Sequence, residues 1–599
     1  MDDGELRRLI EQVRIGRLDR RRFVQVMVTL GLTAPMAAQM LAASGVAQAQ
    51  PKAPGFAPSR RGGGGQLRVL WWQAPTLLNP HFATGTKDQD ASRVFYEPLA
   101  GYDPDGNIVP ALAAEVPSVD NGGLAKDGTW VIWKLKRGVQ WHDGKPFTAD
   151  DVVFNWEYVA DPATAAVTSG SYREIARIDK LDSHTVKLVF TKPQPFWADA
   201  FCGPRGMVIP KHVFEPYRGA KSREAPANLK PVGTGAYRFV DFKPGDVVRA
   251  EANPAYHVQN RPFFDALEMK GGGDAVSAAR AVLQTGEYDY AWNMQVEDDI
   301  LRRLEQGGKG RVNIWLTGNP EHIQCNFTDP WTEIDGERSS VKTIHPLLSD
   351  PAVRQALNLL VDRGAVQEQI YGRQGQTSAN FLNSPSRFYS RNTRWEFNVD
   401  KANQLLEAAV WKRGADGTRE KGGRRLKMAY QTSINAPRQK NQQIVKQAAL
   451  RAGIDLELKS VTASVFFGSD AANPDNYPHF YADLQMYNTG MTAPDPQYFM
   501  NQFTSWEVSS RANKWQGRNV TRWRNEEYDR AYNAADVEME PVKRAALFIR
   551  MNDLVIQNVV VIPVLWRSGV SASANKLRGM DLHGWESAMW RLPYWYKEA

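Results

Sequence analysis

The string GVQWHDGKPFTADDVVFNWEY, residues 138–158, gathers His142, the pair Gly144-Lys145 and the adjacent carboxylates Asp150 and Asp151. Side chains of these types can cradle a phosphate, hold a metal or exchange protons. A phosphate loop needs four residues between its glycines and a Ser or Thr after the lysine, because backbone N–H groups wrap the phosphates and the hydroxyl holds magnesium. Here five residues separate Gly138 from Gly144, and Pro146, with neither hydroxyl nor N–H, follows Lys145. A metal site fares no better. The nine histidines are scattered, with no His-x3-His, Cys-x2-Cys or His-Glu-x2-His spacing. No Gly-x-Ser-x-Gly elbow is present. Paired carboxylates for glycoside hydrolysis can lie far apart in sequence, and nothing points to them. No catalytic residue, cofactor or metal is expected.

The same string has a complete local reading. Residues 129–138, TWVIWKLKRG, alternate and are rich in β-branched and aromatic types, which predicts a strand. His142-Asp143-Gly144-Lys145 follows as a turn. Thr148 is placed to cap a helix, with Asp151 three residues on, and Val152, Val153, Trp156 and Val159 recur at helical spacing. The two carboxylates therefore start a helix.

The ends of the chain carry another kind of signal. Arg20-Arg21-Arg22-Phe23 precedes a charge-free apolar run that finishes in Ala47-Gln48-Ala49. A basic region, an apolar region and small residues before a cut form a cleaved signal, and Arg20-Arg21-x-Phe resembles the twin-arginine export signal. Val46 stands where a lipoprotein signal needs Cys, so an exported, periplasmic and unanchored protein is expected. Residues 1–49 are assigned to the signal and the Pro/Gly-rich 50–66 to a flexible linker, with the fold starting at Leu67. No later stretch has the ~18 consecutive apolar residues of a membrane span. The net charge of +8 is dispersed among interleaved acids, which excludes a nucleic-acid partner. Cys202 and Cys325, the only cysteines, are expected as two buried thiols. The chain has 19 Trp, 20 Tyr and 24 Phe, enough to line a cleft for an organic ligand as well as fill cores.

Further along, LRVLWW (67–72) reads as a strand and ASRVFYEPLAGYDPDG (91–106) as a helix ending in a turn. HTVKLVFTKP (184–193) and GAYRFVDFKPGDVVRAEANP (235–254) are hairpin-like, the latter turning at Lys243-Pro244-Gly245-Asp246. After Lys270, Asp274 caps a helix. Asp350 and Pro351 open a long one through residue 372, residues 398–409 form another, and 540–559 feed the strand VVIPVLW. Such alternation predicts α/β lobes with a ligand cleft. The end of the first strand and its loop offer Trp72 and Asn79, and YAWN offers Trp292 and Asn293.

Four strings in order, YEPLAGYDPDGNIVPALAAE, WKLKRGVQWHDGKPFTADDVVFNWEY, PVGTGAYRFVDFKPGD and DPAVRQALNLLVDR, resemble the peptide/opine/nickel class (family 5) of solute-binding proteins serving ABC importers. The resemblance covers the mature chain. It implies an α/β two-lobed periplasmic binding protein (type II, class C-like) with an extra strand-rich subdomain in lobe 1. Lobe 1 is then expected over 67–270, with the insert at about 105–229, lobe 2 over 271–567, and a return to lobe 1 over 568–599. It implies a monomer that captures a small organic solute or short peptide and hands it to permease subunits. A periplasmic hydrolase or a chaperone on the same scaffold is the alternative. Peptide-binding members use Trp-x2-Asp before an Asp/Glu-Pro turn, the Asp holding the peptide's amine. Here that text is LQMYNTGMTAPDPQYF, with Tyr487 in the Trp place, then Asn488, and no acid before Asp495. Tyr487, Asn488 and Asp495 complete the expected ligand set, and a free peptide amine loses its partner.

Overall fold

The computed structural model describes residues 56–598 apart from 84, 468–472, 514 and 516, with five isolated positions nearer the N-terminus. Apart from those five positions, the expected export signal in 1–49 lies outside the described residues. The chain forms two α/β units. Unit 1 runs to Trp315, takes back Thr492–Pro494 and ends with Gly569–Ala599, while unit 2 holds Leu316–Met491 and Asp495–Ser568.

In unit 1, Gln66–Trp71 is a central strand, parallel to Ala266–Gly271 on one side and Tyr290–Ala291 on the other. Val247–Ala252 and Tyr237–Lys243 extend the sheet antiparallel, turning at Gly245, whose φ of 78° suits a residue without Cβ. The expected boundary at Lys270 moves to Trp315. Helix Ala275–Leu283, capped by Asp274, buries Ala278, Ala279, Val282 and Leu283 with Leu70 and Ala291, so residues 271–315 complete the first core. The return begins at Gly569, whose strand pairs Tyr290 with Ser573.

A separate three-stranded sheet in unit 1 joins Trp130–Lys134, Thr185–Phe190 and Ile175–Asp182. Helix Ala149–Ala160 packs on it. Thr148 and Asp151 close a reciprocal capping box, with the Asp151 carboxylate accepting from Thr148 N at 2.9 Å. Such a cap contributes about 1 kcal/mol. His142 accepts from Gly233 N at 3.1 Å through Nδ1, so its Nε2–H donates to Gly235 O at 3.0 Å. The residues that first suggest chemistry build a turn, a cap and a clamp.

Three local expectations change. The flexible linker expected over 50–66 does not hold for residues 56–65, which are docked. Gly63 and Gly65 N–H groups donate to the Asp265 carboxylate at 2.8 and 2.9 Å, and the Phe56 ring stacks on Tyr596 at 4.2 Å. The helix expected over 91–106 lies earlier, at Thr86–Arg93; Pro98 disfavours helical backbone at Glu97, and Ala100–Tyr102 pairs with Ile108–Pro110. The long helix after Asp350 breaks after Leu359. Asp362 caps a new turn by accepting from Ala365 N at 2.9 Å, and the buried Arg363 donates to Pro563 O at 2.6 Å.

In unit 2, Asp455–Val461, Lys427–Ser433 and Leu484–Asn488 run parallel, and residues 321–325 lie antiparallel to Leu484–Asn488. One face carries Ile323, Cys325, Met428, Tyr430, Leu484 and Met486 into the core beneath helix Ala436–Arg451, which contributes Val445, Ala448 and Ala449. Cys202 and Cys325 are free, buried thiols, one in each unit.

Candidate functional site

Each unit gathers some of the expected residues. In unit 1, Trp71 ends the central strand, Trp72 follows it, and Trp292 follows Tyr290–Ala291. Trp292 stacks on Trp71 at 5.8 Å with an 8° tilt and lies 6.5 Å from Trp72. Trp72 Nε1–H donates to Asn293 O at 3.0 Å. Asn293 has a φ of 55°, a left-handed conformation that Asn tolerates and that turns the chain out of the sheet. Trp72, Trp292 and Asn293 therefore come together, with Trp72 and Asn293 half-exposed and Trp292 buried.

Asn79 does not join them. It is fully buried, donates from Nδ2 to Asn228 Oδ1 at 2.7 Å, and accepts from His81 N at 2.9 Å. Its amide is occupied inside the protein, so its place is structural support.

In unit 2, Tyr487 and Asn488 are consecutive in a strand and so fall on opposite faces. Tyr487 lies opposite His322, their rings 4.9 Å apart, within an aromatic cluster of Phe466, Phe467 and Tyr477. Its hydroxyl accepts from Gln324 Nε2 at 3.0 Å. Gln324 Oε1 accepts from Gln485 at 2.8 Å, and Gln485 Oε1 from Gln431 at 3.1 Å. This buried amide chain crosses three strands. His322 donates from Nδ1 to Pro320 O at 3.2 Å, leaving Nε2 as a bare, buried acceptor with no partner among the described residues. Burial pushes its pKa down to about 4, so the ring is neutral.

Asn488 lies opposite Glu321 at the end of the core face, and its buried Nδ2 has no partner among the described residues. Glu321 is completely buried. It accepts from Arg438 Nε at 2.6 Å and Arg567 at 3.3 Å. Burial alone would raise the Glu321 pKa; the two guanidiniums overcome that and hold it below the ordinary carboxylate value. Asp495 is also internal. It forms a buried ion pair with Arg544, with Nη2 at 3.0 Å from Oδ1, and its carboxylate accepts from Gln497 N at 2.9 Å. Asp495 thus braces the turn, and the expectation of a ligand contact gives way to a structural role.

Sequence reading missed Glu321, His322, Gln324 and Gln485. The signal was present: PEHIQCN (320–326) alternates polar residues with Ile323 and Cys325 in a segment where both faces are buried. Replacing Tyr487 by Phe keeps the ring and leaves the Gln324 donor unpaired. The expected cost is about 1–3 kcal/mol in urea unfolding; unchanged stability would show that the hydroxyl bond contributes nothing.

The model of the bacterial extracellular solute-binding proteins, family 5 (middle), matches residues 107–510. The chain belongs to that family. The oligopeptide-binding protein AppA of Bacillus subtilis is 28% identical over 69% of this chain and 72% of its own. The glutathione-binding protein GsiB of Escherichia coli K12 is 24% identical over 84% and 89%. NikZ of Campylobacter jejuni, solved with Ni(L-His), superposes with a TM-score of 0.73 at 22% identity, covering 89% of this chain and 99% of that one. The α/β two-lobed binding-protein fold is therefore established, and the chain is a solute-binding protein of family 5. Among the described residues no helix is long and apolar enough to cross a membrane, and no three His, Cys, Asp or Glu cluster as metal ligands.

Proposed function

We propose that this family 5 protein is the periplasmic capture component of an ABC importer and binds a peptide-like or opine-like organic solute through neutral hydrogen bonds. AppA, an oligopeptide-binding protein, GsiB, a glutathione-binding protein, and NikZ, solved with Ni(L-His), support the class without choosing the solute. The observation that carries the reading is the state of Asp495. The segment after Tyr487 has no other acid, and Asp495 is held by Arg544. Freeing it strands a buried guanidinium, which costs several kcal/mol. In its place unit 2 offers a bare acceptor on His322, on the Tyr487 face, and on the opposite face the Asn488 amide donor, each complementary to an amide or hydroxyl group.

Trp72, Trp292 and Asn293 on unit 1, and Tyr487 and Asn488 on unit 2, are the proposed solute contacts, with Asn79 and Asp495 bracing them. The protein acts as a monomer with permease subunits, performs no chemistry on its cargo, and leaves the cytoplasm by the twin-arginine route. The test starts from whatever solute co-purifies, identified by mass spectrometry. If that solute has an amine, acetylating it changes affinity less than about tenfold, or ~1.4 kcal/mol. Loss of binding on acetylation returns the free-peptide reading. Steady conversion of the solute would instead show a hydrolase, and binding only to unfolded chains a chaperone.

A further inference from the structure

Unit 1 contains a cavity of about 470 Å³ whose lining includes Lys134, Lys136, Arg137, Val139, His184 and His257 and none of the three stacked tryptophans. Strand pairing builds it. Lys134 lies opposite Thr185, Leu135 N donates to His184 O at 2.7 Å, and Lys136 N donates to Leu112 O at 2.9 Å. Beyond the end of that strand at Lys134 the chain turns, and Lys134, Lys136 and Arg137 all line the cavity.

The carboxylates around this cavity are mostly occupied. Glu115 pairs with Lys134 at 2.9 Å. Asp182 accepts from His184 N at 2.7 Å. Glu97 is buried and accepts from Tyr256 at 2.9 Å, His257 at 3.0 Å and Thr234 at 3.1 Å. Arg93 also neutralises Glu97. Two cations remain, Lys136 and Arg137. Among the described residues neither side chain has a hydrogen bond or ion pair, although Lys136 feels the field of Glu97 and Arg137 that of Asp182. Burial lowers the Lys136 pKa, the mark of an ammonium removed from water without a direct partner.

We propose that this cavity is a second ligand site, specific for a small organic molecule bearing an oxyanion, carboxylate or phosphate, held between Lys136 and Arg137. An oxyanion there supplies the partner that Lys136 lacks, and charge-assisted hydrogen bonds are about twice as strong as neutral ones. The volume falls in the range of small-molecule sites and exceeds what an inorganic ion fills. Neither the capture reading nor the identity of the captured solute enters this argument.

Isothermal titration of the exported protein with citrate and with inorganic phosphate, at fixed ionic strength, tests it. One equivalent of at least one anion is expected to bind, citrate marking a carboxylate site and phosphate a phosphate site. Lys136→Met and Arg137→Gln each weaken it at least tenfold. Lys134→Met, whose side chain is already paired with Glu115, changes it less than threefold. Arg137 is exposed, so its variant remains folded even if Lys136→Met does not. No binding of either anion at about 10 mM, well above a millimolar Kd, overturns the proposal. Equal binding by wild type and Arg137→Gln, the behaviour of an adventitious ion only, overturns it too.

Discussion

Glu321→Ala is expected to destabilise unit 2 by about 3–5 kcal/mol, the cost of breaking a buried ion network by removing one partner. Glu321 is fully buried, and Arg438 and Arg567 converge on it from a helix and from a strand. Without it two guanidiniums face each other with little water to separate them. The measurement is hydrogen exchange at the amides of Lys427–Ser433 and Leu484–Asn488, which reports opening of this unit rather than of the whole chain. A loss below about 1 kcal/mol would mean that water reaches the cluster and screens it as at a surface. A second variant isolates the cause. Replacing Glu321, Arg438 and Arg567 together by Leu, Met and Met removes all the charges at similar volume. It is expected to cost less than Glu321→Ala alone, because desolvation of the ions disappears with them.

That cluster also shows where the sequence could be read and where it could not. Caps were legible because they depend on neighbours two or three residues away. Thr148 with Asp151, Asp274 with Ser277, and Asp350 with Ala352 all hold as local chemistry predicts. The turn at Gly245 and the strand Gln66–Trp71 were legible for the same reason. The helix break at Asp362 was not, since Arg363 is drawn into the core by a carbonyl 200 residues away, that of Pro563. Asn79 and Asp495 had the right types for a ligand site, but their partners, Asn228 and Arg544, lie 149 and 49 residues distant. Trp72, Trp292 and Asn293 meet because two parallel strands end side by side, a pairing the sequence does not spell out. The opposed faces of Tyr487 and Asn488 follow from strand alternation alone.

Acid is expected to destabilise both units between about pH 6.5 and pH 4, and the sign follows from buried histidines. Burial pushes His81, His142 and His322 down to about 4 and His583 to about 3. Unfolded, each titrates near about 6.5. In this window the unfolded chain therefore binds protons that the native protein refuses, so stability falls as pH falls. His142 shows the physical reason. Its Nδ1 is occupied by the Gly233 N–H and has no lone pair left for a proton. Two carboxyls of unit 1 act in the opposite sense. Burial raises Asp90 to about 6 and Glu586 to about 7, so the native state holds their protons where the unfolded chain releases them. Their stabilisation is lost as pH rises, and acidification restores it. Three histidines against two carboxyls leave unit 1 about one proton, and His322 gives unit 2 about one, so each loses about 1.4 kcal/mol per pH unit. Opening free energies from hydrogen exchange at pH 6 and pH 5, at constant ionic strength, check this. Equal values would show that the imidazoles protonate in place. Glu586→Gln sharpens the test. Glu586 Oε1 accepts from Tyr102 N at 3.0 Å while the buried Oε2 has no partner among the described residues, the arrangement of a protonated carboxyl that an amide reproduces. With the opposing proton gone, the acid slope of unit 1 should steepen to about 2.7 kcal/mol per pH unit, while that of unit 2 stays as it was.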